Sequence, residues 1–131
     1  MARASRTIFA ASLALATLIA TDAIAHPLKP EEEARIKPAG KPVDCLPLQS
    51  VQDSRVRDDQ TIDFYASNRR VYRNRLPQSC PQLGSEGRFA FKTSLQQLCS
   101  VDIITVLTGP GLTRGASCGL GKFQPITGAP R

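Results

Sequence analysis

The stretch Leu76-Pro-Gln-Ser-Cys80-Pro-Gln-Leu-Gly-Ser-Glu-Gly-Arg-Phe89-Ala-Phe91-Lys-Thr-Ser-Leu-Gln-Gln-Leu98-Cys99-Ser-Val-Asp102-Ile-Ile-Thr-Val-Leu107 decides the fold. Two prolines bracket Cys80, which makes its surroundings an ordered loop and not a strand. Phe89-Ala-Phe91 alternates, and Ile103–Leu107 is dense in β-branched residues, the pattern of a half-buried strand. Thr93–Leu98 is short and reads as one helical turn. The stretch therefore describes a small, disulfide-stapled, mostly β domain. A folded unit of this size has a marginal hydrophobic core. Closing a loop of roughly 20 residues with a disulfide contributes about 3 kcal/mol on the chain-entropy estimate.

The cysteines are read in the light of the first 25 residues. Arg3 and Arg6 form a basic start, Thr7–Ala20 is a short apolar run, and Ala23-Ile-Ala25 is a small-residue cleavage site. That is the pattern of a signal peptide over residues 1–25, with cleavage before His26. The run is short of the roughly 20 apolar residues a membrane anchor needs, so no transmembrane span is expected after cleavage. No cysteine stands at the cleavage point, which argues against a lipid-modified lipoprotein. A periplasmic or secreted location follows, and the four cysteines Cys45, Cys80, Cys99 and Cys118 read as two disulfides in an oxidising compartment. None has Cys-x-x-Cys spacing, and the single histidine, His26, lies at the expected mature end, so neither a redox centre nor a metal site is implied. No cofactor is implied either.

Residues 26–44 contain four prolines and many charges but few apolar side chains. Such a composition is expected to form a disordered linker, with at most one helical turn after Pro30. The folded domain is placed at 45–126, with 127–131 as a tail. Within it, Leu48–Val56 is a weak first strand with a bulge signal, and Thr61–Ala66 is a second. The latter puts Ile62, Phe64 and Ala66 on one face and Thr61, Asp63 and Tyr65 on the other. Ser67-Asn68-Arg69 is a tight connection, since Asn68 tolerates positive φ. Arg70–Arg75 returns, and a three-residue loop sets Phe64 against Tyr72 and Asp63 against Arg73. Gly109–Gly115 is turn-rich. Cys118–Phe123 is the last strand candidate, with glycines that suggest a bulge or a close backbone approach. Five or six short antiparallel strands in a small meander or barrel is the expected all-β architecture.

Several features recur in order: Cys45-Leu46, Asp58-Asp59-Gln60-Thr61-Ile62, Tyr72 with Leu76 and Cys80-Pro-Gln-Leu83, Phe91-Lys-Thr93, Leu98-Cys99-Ser-Val-Asp102, and Cys118-Gly-Leu-Gly-Lys-Phe123. Over residues 45–126 this resembles an uncharacterised family of small exported proteobacterial proteins, a domain of unknown function. The resemblance implies the β fold and the export, and carries no activity, cofactor, site residue or cysteine pairing. Four cysteines allow three connectivities. The expected one is Cys80–Cys99 with Cys45–Cys118, the second bridge pinning the first strand to the last.

Candidate chemistry is sparse. Asp58-Asp59 is the obvious acidic pair, but adjacent turn carboxylates point apart, whereas glycosidases need two facing each other across about 5–10 Å. Turn capping is the expectation. Asp102, at the mouth of the Ile103 strand, is expected to accept backbone hydrogen bonds. Without a second histidine no Ser-His-Asp or Cys-His set can be assembled. Ala116–Phe123 has the outline of a phosphate-binding loop but lacks its first glycine and its terminal Ser/Thr. The chain is basic, with 17 Lys+Arg against 11 Asp+Glu. Arg69, Arg70, Arg73 and Arg75, with Arg55 and Arg57 from a neighbouring strand, are read as one cationic face, and Tyr65 or Tyr72 as a stacking platform. The function expected is a non-enzymatic binding or accessory module of the envelope, its partner an anionic polymer, lipid, or another exported protein, with nucleic acid improbable outside the cell. Two alternatives are a small hydrolase or inhibitor using Asp59 and Asp102, and a structural envelope component.

Overall fold

The computed structural model describes residues 25–131. The signal-peptide reading of residues 1–25 falls, all but Ala25, outside the described residues. The structure is mostly β and wholly antiparallel, with two disulfides. It is organised around the strand pair expected from the alternation. In order, the strands are β1 (Lys37–Pro38), β2 (Cys45–Pro47), β3 (Val51–Val56), β4 (Thr61–Ala66), β5 (Val71–Arg75), β6 (Phe89–Phe91), β7 (Gln97–Cys99), β8 (Ile103–Thr108), β9 (Thr113–Gly119) and β10 (Phe123–Thr127). Two four-residue helices, α1 (Pro30–Glu33) and α2 (Leu83–Glu86), complete the fold. The count exceeds five or six because β1, β2, β6 and β7 are fragments of two or three residues.

β4 and β5 pair with Phe64 opposite Tyr72 and Asp63 opposite Arg73, the register read from the loop length. The connection holds Asn68 and Arg69 at positive φ, 60° and 61°. β3 carries the expected bulge, between Val51 and Asp53. With β10 and β1 these strands form a five-stranded sheet in the order β1-β10-β5-β4-β3. A three-stranded sheet, β6-β8-β9, and the β2-β7 ribbon share one buried core with it. The core between them is built from Ile62, Phe64, Leu46, Leu98, Ile104, Val106 and Phe123, all buried. Phe64 meets Phe89 and Phe123 edge to face, with ring centroids 6.3 and 5.5 Å apart.

Four expectations are corrected. The disulfides are Cys45–Cys99 and Cys80–Cys118, not Cys80–Cys99 and Cys45–Cys118. Cys45 and Cys99 are directly opposed in the β2-β7 ribbon, with Cα atoms 4.0 Å apart. Cys80 reaches instead to Cys118 in β9. Thr93–Leu98 is not a helical turn, because its end is taken into that ribbon as β7. The last strand candidate divides: Cys118 belongs to β9, which starts at Thr113 within the expected loop and ends at Gly119, and Phe123 begins β10. Gly121 at the join allows close approach, since a Cβ there would lie 2.1 Å from the Arg75 carbonyl oxygen.

The fourth correction concerns residues 26–44 and 127–131, expected as linker and tail. Both lie against the sheet. The His26 amide donates to the Val56 carbonyl, β1 pairs with β10, and Val43 exchanges both backbone hydrogen bonds with Phe123. The single helical turn after Pro30 is present as α1, with Glu32 accepting from the Lys29 amide. The segment buries little apolar surface of its own. It is held by strand pairing and by the charged groups beneath it.

Candidate functional site

All six residues of β4 are buried, including the three on the face turned away from the core. The arginines explain this. Arg57 Nε donates to Asp63 Oδ2 at 2.9 Å, and Arg73 holds the same carboxylate through Nε (2.7 Å) and Nη2 (2.9 Å). Asp63 is 0 % exposed, Arg57 6 % and Arg73 5 %. Arg57 also donates to the His26 carbonyl and to the Tyr65 hydroxyl, which in turn donates to the Pro130 carbonyl. Arg73 reaches Glu33 in α1. Residues 26–36 and 129–130 therefore cover the network, and Ile36 and Ala129 pack on the cluster of Tyr65, Val71 and Ile126.

Charge follows geometry here. Burial acts against the Arg73 charge, but the bonds and attraction from Asp63, then Glu33, outweigh it and its pKa stands above the ordinary arginine value. Burial raises the Tyr65 phenol above its ordinary value of 10.0, although the Arg57 charge pulls the other way. The expected cationic face is thus divided. Arg57 and Arg73 are interior and internally neutralised. Arg55 lies over the Tyr65 ring at 5.1 Å and pairs with Asp53. Tyr65, with its hydroxyl engaged and its ring covered by Arg55, is not a free stacking platform.

What stays accessible gathers at the β4-β5 connection. A groove of about 370 Å³ is lined by Ala39, Arg69, Arg70, Val71, Tyr72, Pro125, Ile126 and Thr127. Arg69 and Arg70 are exposed, and neither forms an ion pair among the described residues. Tyr72, the other expected stacking platform, is half-buried opposite Phe64 and Pro125 in the sheet register and packs against the main core. Arg75, 67 % exposed, lies 3.7 Å from Glu33 at the edge of the covered face.

Asp58 and Asp102 cap their own turns, whereas Asp59, expected to do the same, reaches across to α2. Asp58 accepts from the Gln60 amide at 2.7 Å, Asp59 from the Gly84 amide at 2.6 Å, and Asp102 from the Cys99 amide at 2.6 Å. Among the described residues no three His, Cys, Asp or Glu side chains gather as a metal site, and no helix is long and apolar enough to cross a membrane. The residue that sequence reading missed is Glu33. Its signal was the run Glu31-Glu32-Glu33 upstream of an arginine-rich hairpin, but nothing local says that the run folds back over it. Comparison with known family models, curated proteins and solved structures finds no match to this chain.

Proposed function

We propose that this chain is an exported, non-enzymatic binding module of the cell envelope that holds an anionic polymer, such as an acidic polysaccharide, in the groove beside the β4-β5 connection. The single observation that carries this reading is the contrast between arginines. Arg57 and Arg73 are neutralised from within, while Arg69 and Arg70 form no ion pair among the described residues and line one groove. Guanidiniums recognise carboxylate and sulfate groups bidentately. The two disulfides, the leader-like start and the resemblance to small exported proteobacterial proteins support a periplasmic or secreted setting.

The test is retention on immobilised heparin at low salt. Wild-type protein is expected to bind and to elute earlier as salt rises, because exposed ion pairs are screened. The double variant Arg69→Glu with Arg70→Glu is expected to lose retention. Retention equal to wild type in that variant overturns the reading.

A further inference from the structure

We propose that the face holding Arg57, Arg73 and Arg75 is a second anion-binding surface, occupied in this closed form by Glu33, and that a polyanion seated in the Arg69–Arg70 groove displaces residues 26–36 and extends onto it. The inference rests on the groove reading above and adds a latent site and its control.

The first argument is what Glu33 does. One of its carboxylate oxygens faces both Arg73 and Arg75, the position a carboxylate or sulfate of a bound polymer would take. Without it, Arg57 and Arg73 would share a single carboxylate, Asp63, and Arg75 would have no ion pair among the described residues. The second is continuity. Val71 and Ile126 line the groove and also belong to the apolar cluster that Ile36 covers. A chain lying in the groove therefore touches Ala39, just beyond the covering segment. The third is how the cover is fastened. His26 is tied to Val56 and to Arg57 at one end, and β1 and the Ala39 amide to β10 at the other. Between them α1 is mostly exposed, and its only ion pairs to the sheet are those of Glu33, itself 46 % exposed. Its sequence, Glu31-Glu32-Glu33, is an acidic stretch laid over an arginine face. That is an internal competitor for an anion, weak enough to be displaced because it is partly solvated.

The experiment compares Glu33→Gln with Glu31→Gln for binding to soluble heparin. Both remove one negative charge, and Glu31 forms no ion pair among the described residues. Glu33→Gln is expected to bind about threefold or more tightly than Glu31→Gln, the range of a partly exposed ion pair. In the wild-type protein, hydrogen exchange at the Ala34 and Ile36 amides is expected to speed up on adding heparin, because their bonds lie within the four-residue α1, too short to hold its turn once it leaves the sheet. Equal affinities in the two variants, or unchanged exchange at those amides, overturn the inference. If the Arg69/Arg70 double variant loses binding while the two Gln variants match, the latent site falls and the groove stands. If that double variant binds as wild type, both fall together.

Discussion

Asp63 has no solvent exposure, and two guanidiniums converge on it. A carboxylate so placed is tolerable only because every charge near it is matched, since an unmatched ion in a dry site costs several kcal/mol. Asp63→Asn keeps the shape and removes the charge, leaving Arg57 without an ion pair among the described residues and Arg73 with Glu33 alone. The expected loss is about 3–5 kcal/mol, read as a fall in the urea midpoint followed by circular dichroism. A loss below about 1 kcal/mol would mean that solvent reaches the pair despite the cover of residues 26–36 and 129–130. The residue-level reading of the sequence was half right here. Asp63 opposite Arg73 follows from loop length and alternation alone. Arg57 joining them needs the turn at 57–60 to place it beside Asp63, and the chain does not announce that locally.

At the level of elements, the join between β9 and β10 depends on Gly121. The Asn74 side chain bonds both its carbonyl (2.7 Å) and its amide (2.9 Å), drawing the join tightly onto β5. Gly121→Ala would set a methyl 2.1 Å from the Arg75 carbonyl oxygen, so backbone has to move. The expected cost is about 1–3 kcal/mol or more. Gly119→Ala, two residues earlier, meets nothing within 4 Å and is expected to stay within about 0.5 kcal/mol of wild type. Thermal melts of the two variants check the contrast, and equal melting temperatures would refute it. The glycine spacing in Cys118-Gly-Leu-Gly signalled a close approach. Its partner, the β5 backbone more than forty residues away, was not legible from spacing.

For the whole molecule the decisive fact is which sulfurs meet. Cys45–Cys99 spans 54 residues and Cys80–Cys118 spans 38, both longer than the loop between Cys80 and Cys99. Longer loops lose more entropy when closed in the unfolded chain, so each bridge is worth about 4 kcal/mol on that model. Each also joins pieces with separate tasks: the first locks the β2-β7 ribbon, the second ties the proline-bracketed loop to the small sheet. Non-reducing peptide mapping is expected to recover these two pairs, and full reduction to abolish cooperative unfolding at 37 °C or below. Recovery of a Cys80–Cys99 peptide would contradict the fold itself, because Cys99 would then be withdrawn from its place opposite Cys45.

The chain by itself determined the local matters: strands over Thr61–Ala66 and Ile103–Leu107, the hairpin register, the bulge before Asp53, turn capping by Asp58 and Asp102, and a staple of two disulfides. These depend on side-chain periodicity, turn chemistry and cysteine number, which act over a few residues and leave a mark in the sequence. Only the tertiary structure decided the cysteine pairing, the docking of residues 26–44 onto the sheet, and the division of six arginines into buried and free. Those depend on which distant segments come to share a surface. Pro-rich, charged segments such as 26–44 bury too little to order themselves, so their structure is supplied by a strand edge and a buried charge that the rest of the fold must first create.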